Sequence, residues 1–154
     1  PMEEMKAIAQ QLLEEGTPVW MGCDVAPQMD RKRGLWDATL FESQALYGVE
    51  FGVDKANRLR FGQTMMTHAM LFTGVDVVDG RARRWRVENS WGDDNGVKGF
   101  YTMNDGWFDE YMFEIAAPSG HLSDQMREGL GTEPVVLPAW DPMGSLARRE
   151  VRSA

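Results

Sequence analysis

A two-residue turn signal, Asp79-Gly80, separates two stretches that are rich in β-branched and apolar residues. Residues 65–78, before the turn, carry such side chains on both faces, which is typical of a strand covered on two sides. Residues 81–90, after the turn, resume the strand pattern. Because Asp-Gly is a strong signal for a tight hairpin, the sequence predicts an antiparallel strand pair with a defined register.

That register brings together three side chains that could take part in a reaction. Counting outward from the turn places His68 opposite Trp91, with Asn89 as the diagonal neighbour of His68 on the same face. An Asn oxygen that accepts a hydrogen bond from one imidazole nitrogen fixes the tautomer, and the other nitrogen is then free to act on a thiol. An indole beside this pair would cover the bond. The alternative to a catalytic role for His68 is a structural role as a buried histidine.

Other segments alternate between helix and strand patterns. We predict helices at residues 2–15 and 124–130, a weaker helix at 35–47, and strands at 17–25, 99–103 and 107–115. The centre of the chain is therefore an antiparallel sheet, and the fold class is α+β.

The composition changes near residue 118. Residues 1–117 are predicted to form one sheet-bearing unit, and residues 118–154 a linker, a short helix and an extended arm. Four prolines fall in this last part, at Pro118, Pro134, Pro138 and Pro142. Since proline fixes φ and removes a backbone donor, this spacing disfavours a packed helix or strand and favours an extended arm laid on another surface.

Charge and cysteine content exclude some functional classes. The formal net charge of -8 makes nucleic acid an unlikely default partner, and the basic strip of Arg81, Arg83, Arg84 and Arg86 is better interpreted as a solvated hairpin face. No apolar run is long enough to span a bilayer, so no membrane partner is predicted. A single cysteine excludes an internal disulfide framework and favours a reducing cytoplasm.

Four motifs carry a resemblance that covers nearly the whole chain. They are Val19-Trp20-Met21-Gly22-Cys23-Asp24-Val25, Met66-Thr67-His68-Ala69-Met70, Trp85-Arg86-Val87-Glu88-Asn89-Ser90-Trp91-Gly92 and Leu137-Pro138-Ala139-Trp140-Asp141-Pro142-Met143-Gly144. Together they resemble the bleomycin hydrolase and aminopeptidase C branch of the papain-like cysteine peptidases. The resemblance implies a papain-like fold, of which this chain supplies the His/Asn half, and an activity that removes residues from the N-terminus of peptides.

The resemblance also assigns roles. It implies that His68 and Asn89 are catalytic and that Trp91 shields the bond between them. Cys23 is not expected to be the nucleophile, because it precedes His68 by too few residues and lacks the Gln and Cys-Trp context of the family; it is better interpreted as a small buried residue. The nucleophilic Cys and its partner Gln would then lie before Pro1, in a Cys-bearing N-terminal half.

The end of the arm has a role of its own in the family. The resemblance implies that the terminal carboxylate holds the substrate's amino group, which makes Ala147 the expected substrate-positioning terminus. Residues 148–154 continue beyond it. The sequence therefore leaves open how many residues from the N-terminus of the substrate the cleaved bond lies. The resemblance further implies a homohexamer, peptide substrates and no metal or organic cofactor. The alternative function is a catalytically inactive relative that acts as a peptide-binding or assembly module.

Overall fold

The structure, a computed structural model, describes residues 1–143. Within these residues, seven strands form one sheet in the order β2-β3-β6-β5-β4-β1-β7. The strands are β1 (Val19–Cys23), β2 (Met29–Asp30), β3 (Leu35–Trp36), β4 (His68–Val78), β5 (Arg81–Glu88), β6 (Phe100–Asn104) and β7 (Met112–Ile115). The long β4–β5 hairpin lies near the centre, as the turn signal predicts.

Five α-helices and one short 3-10 helix accompany the sheet in the described part of the chain. The helices are α1 (Met2–Glu14), α2 (Ser43–Tyr47), α3 (Lys55–Arg60), α4 (Asp105–Tyr111) and α5 (Asp124–Leu130), with the 3-10 helix at Ser119–His121. Helix α1 buries Ile8, Ala9 and Leu12 against the sheet. The fold class is therefore α+β, as predicted.

The hairpin turn has the backbone that its sequence requires. Asp79 and Gly80 both have positive φ, at 52° and 75°, as expected of a type I′ turn. The register first holds at Val78–Arg81, shifts at two irregularities along the pair, and returns to the predicted alignment at Phe72–Val87 and Leu71–Glu88. The two shifts cancel, so the end of the hairpin that carries His68 has the predicted phase.

The sheet encloses a core that is rich in aromatic and sulfur-containing side chains. Trp85, Phe72 and Phe108 stack on one another, with centroids 5.0 to 5.7 Å apart. Trp36, Tyr101 and Trp107 form a second contiguous group. All six side chains are essentially excluded from solvent, so the sheet half is held by packing within this chain.

The prediction of a strand at residues 107–115 was wrong in its first part. Residues 107–115 do not form one strand, because helix α4 occupies the first part and β7 only the second. The aromatic residues favour a strand by propensity, yet Trp107, Phe108 and Tyr111 also recur at helical spacing and place one face in the core. The pairs that join β4 to β5, β5 to β6 and β1 to β4 and β7 are antiparallel, as predicted, and the short β3 adds a parallel pair with β6.

Residues 35–47 likewise differ from the single weak helix that we predict. They contain the two-residue strand β3 and, after a break, helix α2, which buries none of its side chains. Helix α3 was missed, although Asp54 caps it by accepting a hydrogen bond from the Asn57 backbone N–H at 2.7 Å. The Asp54 cap is a sequence signal of a helix start.

The region after Pro118 is largely exposed. Residues 133–138 have no regular structure, and Val135, Val136 and Trp140 are exposed, which agrees with an extended arm. The division into units at 117/118 stays a prediction. Ala147 and residues 148–154 lie outside the described residues. Among residues 1–143, the longest helices are too short and too polar to cross a bilayer.

Candidate active site

His68 is the first residue of β4 and faces Cys23 across the β1–β4 pair. The chain just before it is fixed by hydrogen bonds to β1 and its end. The Thr67 backbone N–H donates to the Cys23 carbonyl at 2.9 Å, and the Thr67 hydroxyl accepts from the Val25 N–H at 3.1 Å. The imidazole is half-buried, so it is anchored by its strand while one side stays accessible.

Asn89 lies directly after β5 and meets the imidazole. Its backbone N–H donates to the Gly99 carbonyl at 3.3 Å, which ties the end of β5 to the start of the next strand. Its side-chain Oδ1 lies 2.9 Å from His68 Nε2 and 2.8 Å from the Ser90 backbone nitrogen. The predicted proximity of His68 and Asn89 is therefore confirmed.

These two contacts determine which imidazole nitrogen carries the proton. A backbone N–H can only donate, so the Asn89 atom that faces Ser90 must be the amide oxygen. Because that oxygen only accepts, His68 Nε2 carries the hydrogen and donates to it. Nδ1 then has a free lone pair, and within residues 1–143 no hydrogen bond engages it. In the neutral form of the ring, Nδ1 is therefore the basic nitrogen that is available.

Trp91 covers this hydrogen bond. Its ring stacks on His68 with centroids 4.9 Å apart and planes 26° apart, and it meets Tyr101 edge-on at 6.2 Å. The Asn89 Nδ2 atom is buried and has no hydrogen-bond partner in the described part of the chain. Excluding water from a hydrogen bond strengthens it electrostatically, and the shielding role of Trp91 stays a prediction.

Cys23 is close to His68 in space but is not placed as its thiol partner. Its side chain is completely buried, and Sγ donates to the main-chain carbonyl of His68 at 3.7 Å, so it does not approach the ring nitrogens. Burial raises the pKa of the Cys23 thiol far above its ordinary value, and the neighbouring Asp24 carboxylate raises it further. A buried neutral thiol is a poor nucleophile.

Pro142, near the end of the described part of the chain, contacts the segment just before His68. The Met66 backbone N–H, two residues before His68, donates to the Pro142 carbonyl at 3.1 Å. No sequence pattern indicates this contact, because it joins segments that are remote along the chain. Residues 1–143 contain no group of three or more His, Cys, Asp or Glu side chains arranged to hold a metal ion.

A second contact that the sequence analysis missed involves Arg31. Its guanidinium carbon lies 4.6 Å from the centroid of the Trp91 ring. The only local signal is a basic run, Arg31-Lys32-Arg33, in the loop between β2 and β3. That run alone does not indicate which of the three side chains approaches the site.

Several known proteins are similar to this chain in sequence. Bleomycin hydrolase of Homo sapiens is 44% identical over 151 residues, which cover 96% of this chain and 33% of that protein. Aminopeptidase C of Listeria monocytogenes is 39% identical over 146 residues, covering 95% of this chain and 33% of that protein. The chain thus spans about a third of the length of the curated relatives it matches.

A solved structure shows the same fold. PepW from Lactobacillus rhamnosis superposes with a TM-score of 0.88 at 38% sequence identity, covering 94% of this chain and 33% of that one. The sequence profile of the Peptidase C1-like family matches residues 1–144. The chain has the papain-like α+β fold and belongs to the Peptidase C1-like family.

Proposed function

We propose that this chain supplies His68 and Asn89 to a cysteine-type aminopeptidase whose nucleophilic thiol lies outside these 154 residues. The observation that carries the proposal is the 2.9 Å contact between His68 Nε2 and Asn89 Oδ1, which leaves Nδ1 free to accept a proton. The chain's single cysteine is buried and bonded to a backbone carbonyl, so it does not fill the role of nucleophile.

The reaction we propose is acyl transfer in two halves. His68 Nδ1 takes the proton of the thiol, and the thiolate attacks the carbonyl carbon of the peptide bond. The imidazolium then gives that proton to the departing amine as the carbon–nitrogen bond breaks, which leaves a thioester. In the second half His68 takes a proton from water, and the resulting hydroxide attacks the thioester and releases the acid and the thiol.

Asn89 contributes by orientation in both halves. It accepts from the same Nε2–H whether the imidazole is neutral or protonated, so the ring does not need to turn between accepting and donating the proton. Trp91 keeps water away from that hydrogen bond. The site therefore needs neither a metal nor an organic cofactor for this chemistry.

The arm supports an exopeptidase rather than an endopeptidase. Its Pro142 carbonyl is held by the backbone two residues before His68, so the arm passes beside the proposed site at this residue. An arm that lies there would block substrates from extending through it, and its terminus, near Ala147 in our proposal, would hold the substrate's amino group. Proline-rich segments lose little entropy on docking, which suits this task.

Three further features are proposals that rest on the family resemblance and the composition. Peptides and a Cys-bearing N-terminal half are the proposed partners, a homohexamer is the proposed assembly, and the cytoplasm is the proposed compartment. A second function is favoured by one specific observation, namely that the chain's one thiol is buried. On that alternative the chain is an inactive relative that binds peptides or serves in assembly.

Activity of a mixture separates the two functions. The chain is combined with the Cys-bearing half, and release of a fluorophore from the carboxyl side of a free N-terminal residue is measured. We expect turnover only in the mixture, and a loss of about 100- to 10,000-fold in His68→Ala, since that is the usual contribution of a general base. Asn89→Ala should lose up to about 100-fold through misorientation of the ring.

The matched control is the chain's other histidine. His121 lies in the 3-10 helix, and its Nε2 is 2.8 Å from the Glu15 carboxylate. It has no hydrogen bond to His68 or Asn89 in the described part of the chain. His121→Ala should keep the activity of the mixture. Activity that survives His68→Ala would contradict the catalytic assignment, and turnover by the chain alone that vanishes in Cys23→Ser would show that Cys23 is the nucleophile. Absence of turnover in every mixture would favour the binding module.

A further inference from the structure

The Trp91 ring contacts two groups, the His68 imidazole and the Arg31 guanidinium. The proposed mechanism uses only the imidazole. His68 stacks on the indole at 4.9 Å, and the guanidinium carbon of Arg31 lies over the same ring at 4.6 Å. Both groups therefore lie within 5 Å of the centre of the same indole. A positively charged side chain thus borders the ring that packs on His68.

The backbone fixes this position of Arg31. The loop that carries it is joined to the loop after Trp91 by a hydrogen bond from the Gly96 N–H to the Lys32 carbonyl at 3.1 Å. Gly34 and Gly96 touch so closely that a Cβ on Gly34 would lie 2.5 Å from the Gly96 Cα. Because this close approach requires glycine, the two loops are docked on each other, which keeps the backbone at Arg31 close to the loop that follows Trp91.

The charge of Arg31 is not neutralised in the described part of the chain. Arg33, two residues later in the same loop, pairs with Asp30, whereas no salt bridge or hydrogen bond within residues 1–143 uses the Arg31 guanidinium. The Arg31 side chain is exposed. Its donors are therefore free to bind an anion, even though the chain as a whole carries a net charge of -8.

The chemistry of the proposed reaction determines which part of a substrate would meet Arg31. His68 must lie within hydrogen-bond reach of the nitrogen that departs, so the leaving part of the substrate begins beside the imidazole and the Trp91 surface that adjoins it. The two centroid distances place the guanidinium at most about 10 Å from the imidazole. One or two leaving residues span that distance, because consecutive Cα atoms lie about 3.8 Å apart.

We propose that Arg31 is a specificity-determining residue that binds a carboxylate on the leaving part of the substrate. The preferred substrates are peptides with an acidic side chain in the first or second residue after the scissile bond. A guanidinium binds a carboxylate through two parallel N–H donors, which an amide of the same shape does not match. The inference rests on the proposed aminopeptidase function and adds a substrate class to it.

Kinetics with matched peptides test the inference. Ala-Asp-Ala-amide and Ala-Asn-Ala-amide differ only in whether the first leaving residue is charged, and both are offered to the active mixture. We expect kcat/KM for the Asp peptide to exceed that for the Asn peptide, and Arg31→Gln to reduce this ratio about five- to tenfold, as for an exposed charge-assisted contact. Arg33→Gln, the neighbouring arginine, should leave both the ratio and the activity unchanged.

An equal ratio in the wild type and in Arg31→Gln would overturn the inference, even though the aminopeptidase function would stand. A binding measurement on the chain alone keeps the two questions apart. Asp-Ala-amide and Asn-Ala-amide, the leaving products, are titrated while the indole N–H resonance of Trp91 is followed by NMR. Tighter binding of the Asp product that is lost in Arg31→Gln supports the inference whether or not the mixture turns over, and equal binding of the two products contradicts it.

Discussion

Two regions of the chain, the His68–Asn89 end of the β4–β5 hairpin and residues 41–61, are built in opposite ways. At the end of the hairpin, apolar side chains such as Met70 and Phe72 are buried, and His68, Asn89 and Trp91 contact one another within the chain. Residues 41–61 instead expose large apolar side chains to solvent. These are Phe41, Leu46, Tyr47, Val49, Phe51, Val53 and Phe61.

Residues 41–61 are attached mainly by two cations of helix α3. The Lys55 ammonium donates to the Asp109 carbonyl at 2.8 Å and to the Met112 carbonyl. The Arg58 guanidinium donates to the Glu110 backbone carbonyl at 2.9 Å and to its carboxylate at 2.6 Å. The site is therefore stabilised by an apolar core, whereas residues 41–61 depend on the few hydrogen bonds made by Lys55 and Arg58.

The largest loss of stability should come from truncating a buried aromatic side chain in the core. Trp85 is completely buried, stacks on Phe72 and Phe108, and donates its indole N–H to Asp105 at 3.1 Å. Trp85→Ala should lower the free energy of unfolding by about 3–5 kcal/mol, because both the transfer free energy and the packing of a large ring are lost. Urea denaturation followed by circular dichroism measures it. A loss below about 1 kcal/mol would show that the core is not what holds the sheet.

A smaller and more local effect is expected at Arg58. Arg58→Met keeps much of the side-chain volume but removes the donors to Val53 and Glu110, so residues 53–63 should open more often. Hydrogen exchange of these amides should accelerate about tenfold, while the amides of β4 keep their protection. Equal acceleration in both places would mean that residues 41–61 and the sheet are one cooperative unit.

The features of the fold and the site differ in how well the sequence predicts them. The hairpin register and the meeting of His68 with Asn89 are predictable, because Asp79-Gly80 specifies the turn and strand period sets the faces. Helix α4 was mistaken for a strand, since aromatic residues favour strands until tertiary packing uses their helical spacing. The approach of Arg31 to Trp91 and of Pro142 to Met66 depends on docking between remote loops, which no local pattern encodes.

A pH-dependent effect is expected at Lys55. Burial lowers its pKa to about 8 from the ordinary value of 10.5, although Glu110 and Asp109 act in the opposite direction. Between these pH values the unfolded chain still holds the proton that the folded chain has released, so the stability of the folded state rises with pH. The penalty for burying the charge is full below about pH 8 and is relieved as the pH approaches 10.5.

Lys55→Met isolates this contribution, because other groups titrate equally in both proteins. The wild type should gain stability relative to Lys55→Met between pH 7 and pH 10, as measured by urea denaturation at each pH. A difference that is constant with pH, or that falls, would show that the Lys55 ammonium is not disfavoured by burial.

The smallest effect is expected at the exposed apolar side chains. Phe61 is 70% exposed, so Phe61→Ser should change the free energy of unfolding by less than about 0.5 kcal/mol. Thermal unfolding of the two proteins under one set of conditions measures it. A loss comparable to that of Trp85→Ala would abolish the contrast between the two regions.

The protonation of the His68 ring tests the proposed catalytic pair most directly. Nitrogen-15 NMR of the imidazole in its neutral form distinguishes a protonated ring nitrogen from an unprotonated one. We expect hydrogen on Nε2 and a free lone pair on Nδ1 in the wild type, and a mixture of tautomers in Asn89→Ala, because Asn89 Oδ1 is the acceptor that selects the tautomer. A wild-type ring with its hydrogen on Nδ1, or one that Asn89→Ala does not change, would contradict the assignment of His68 and Asn89 as the base and its orienting group.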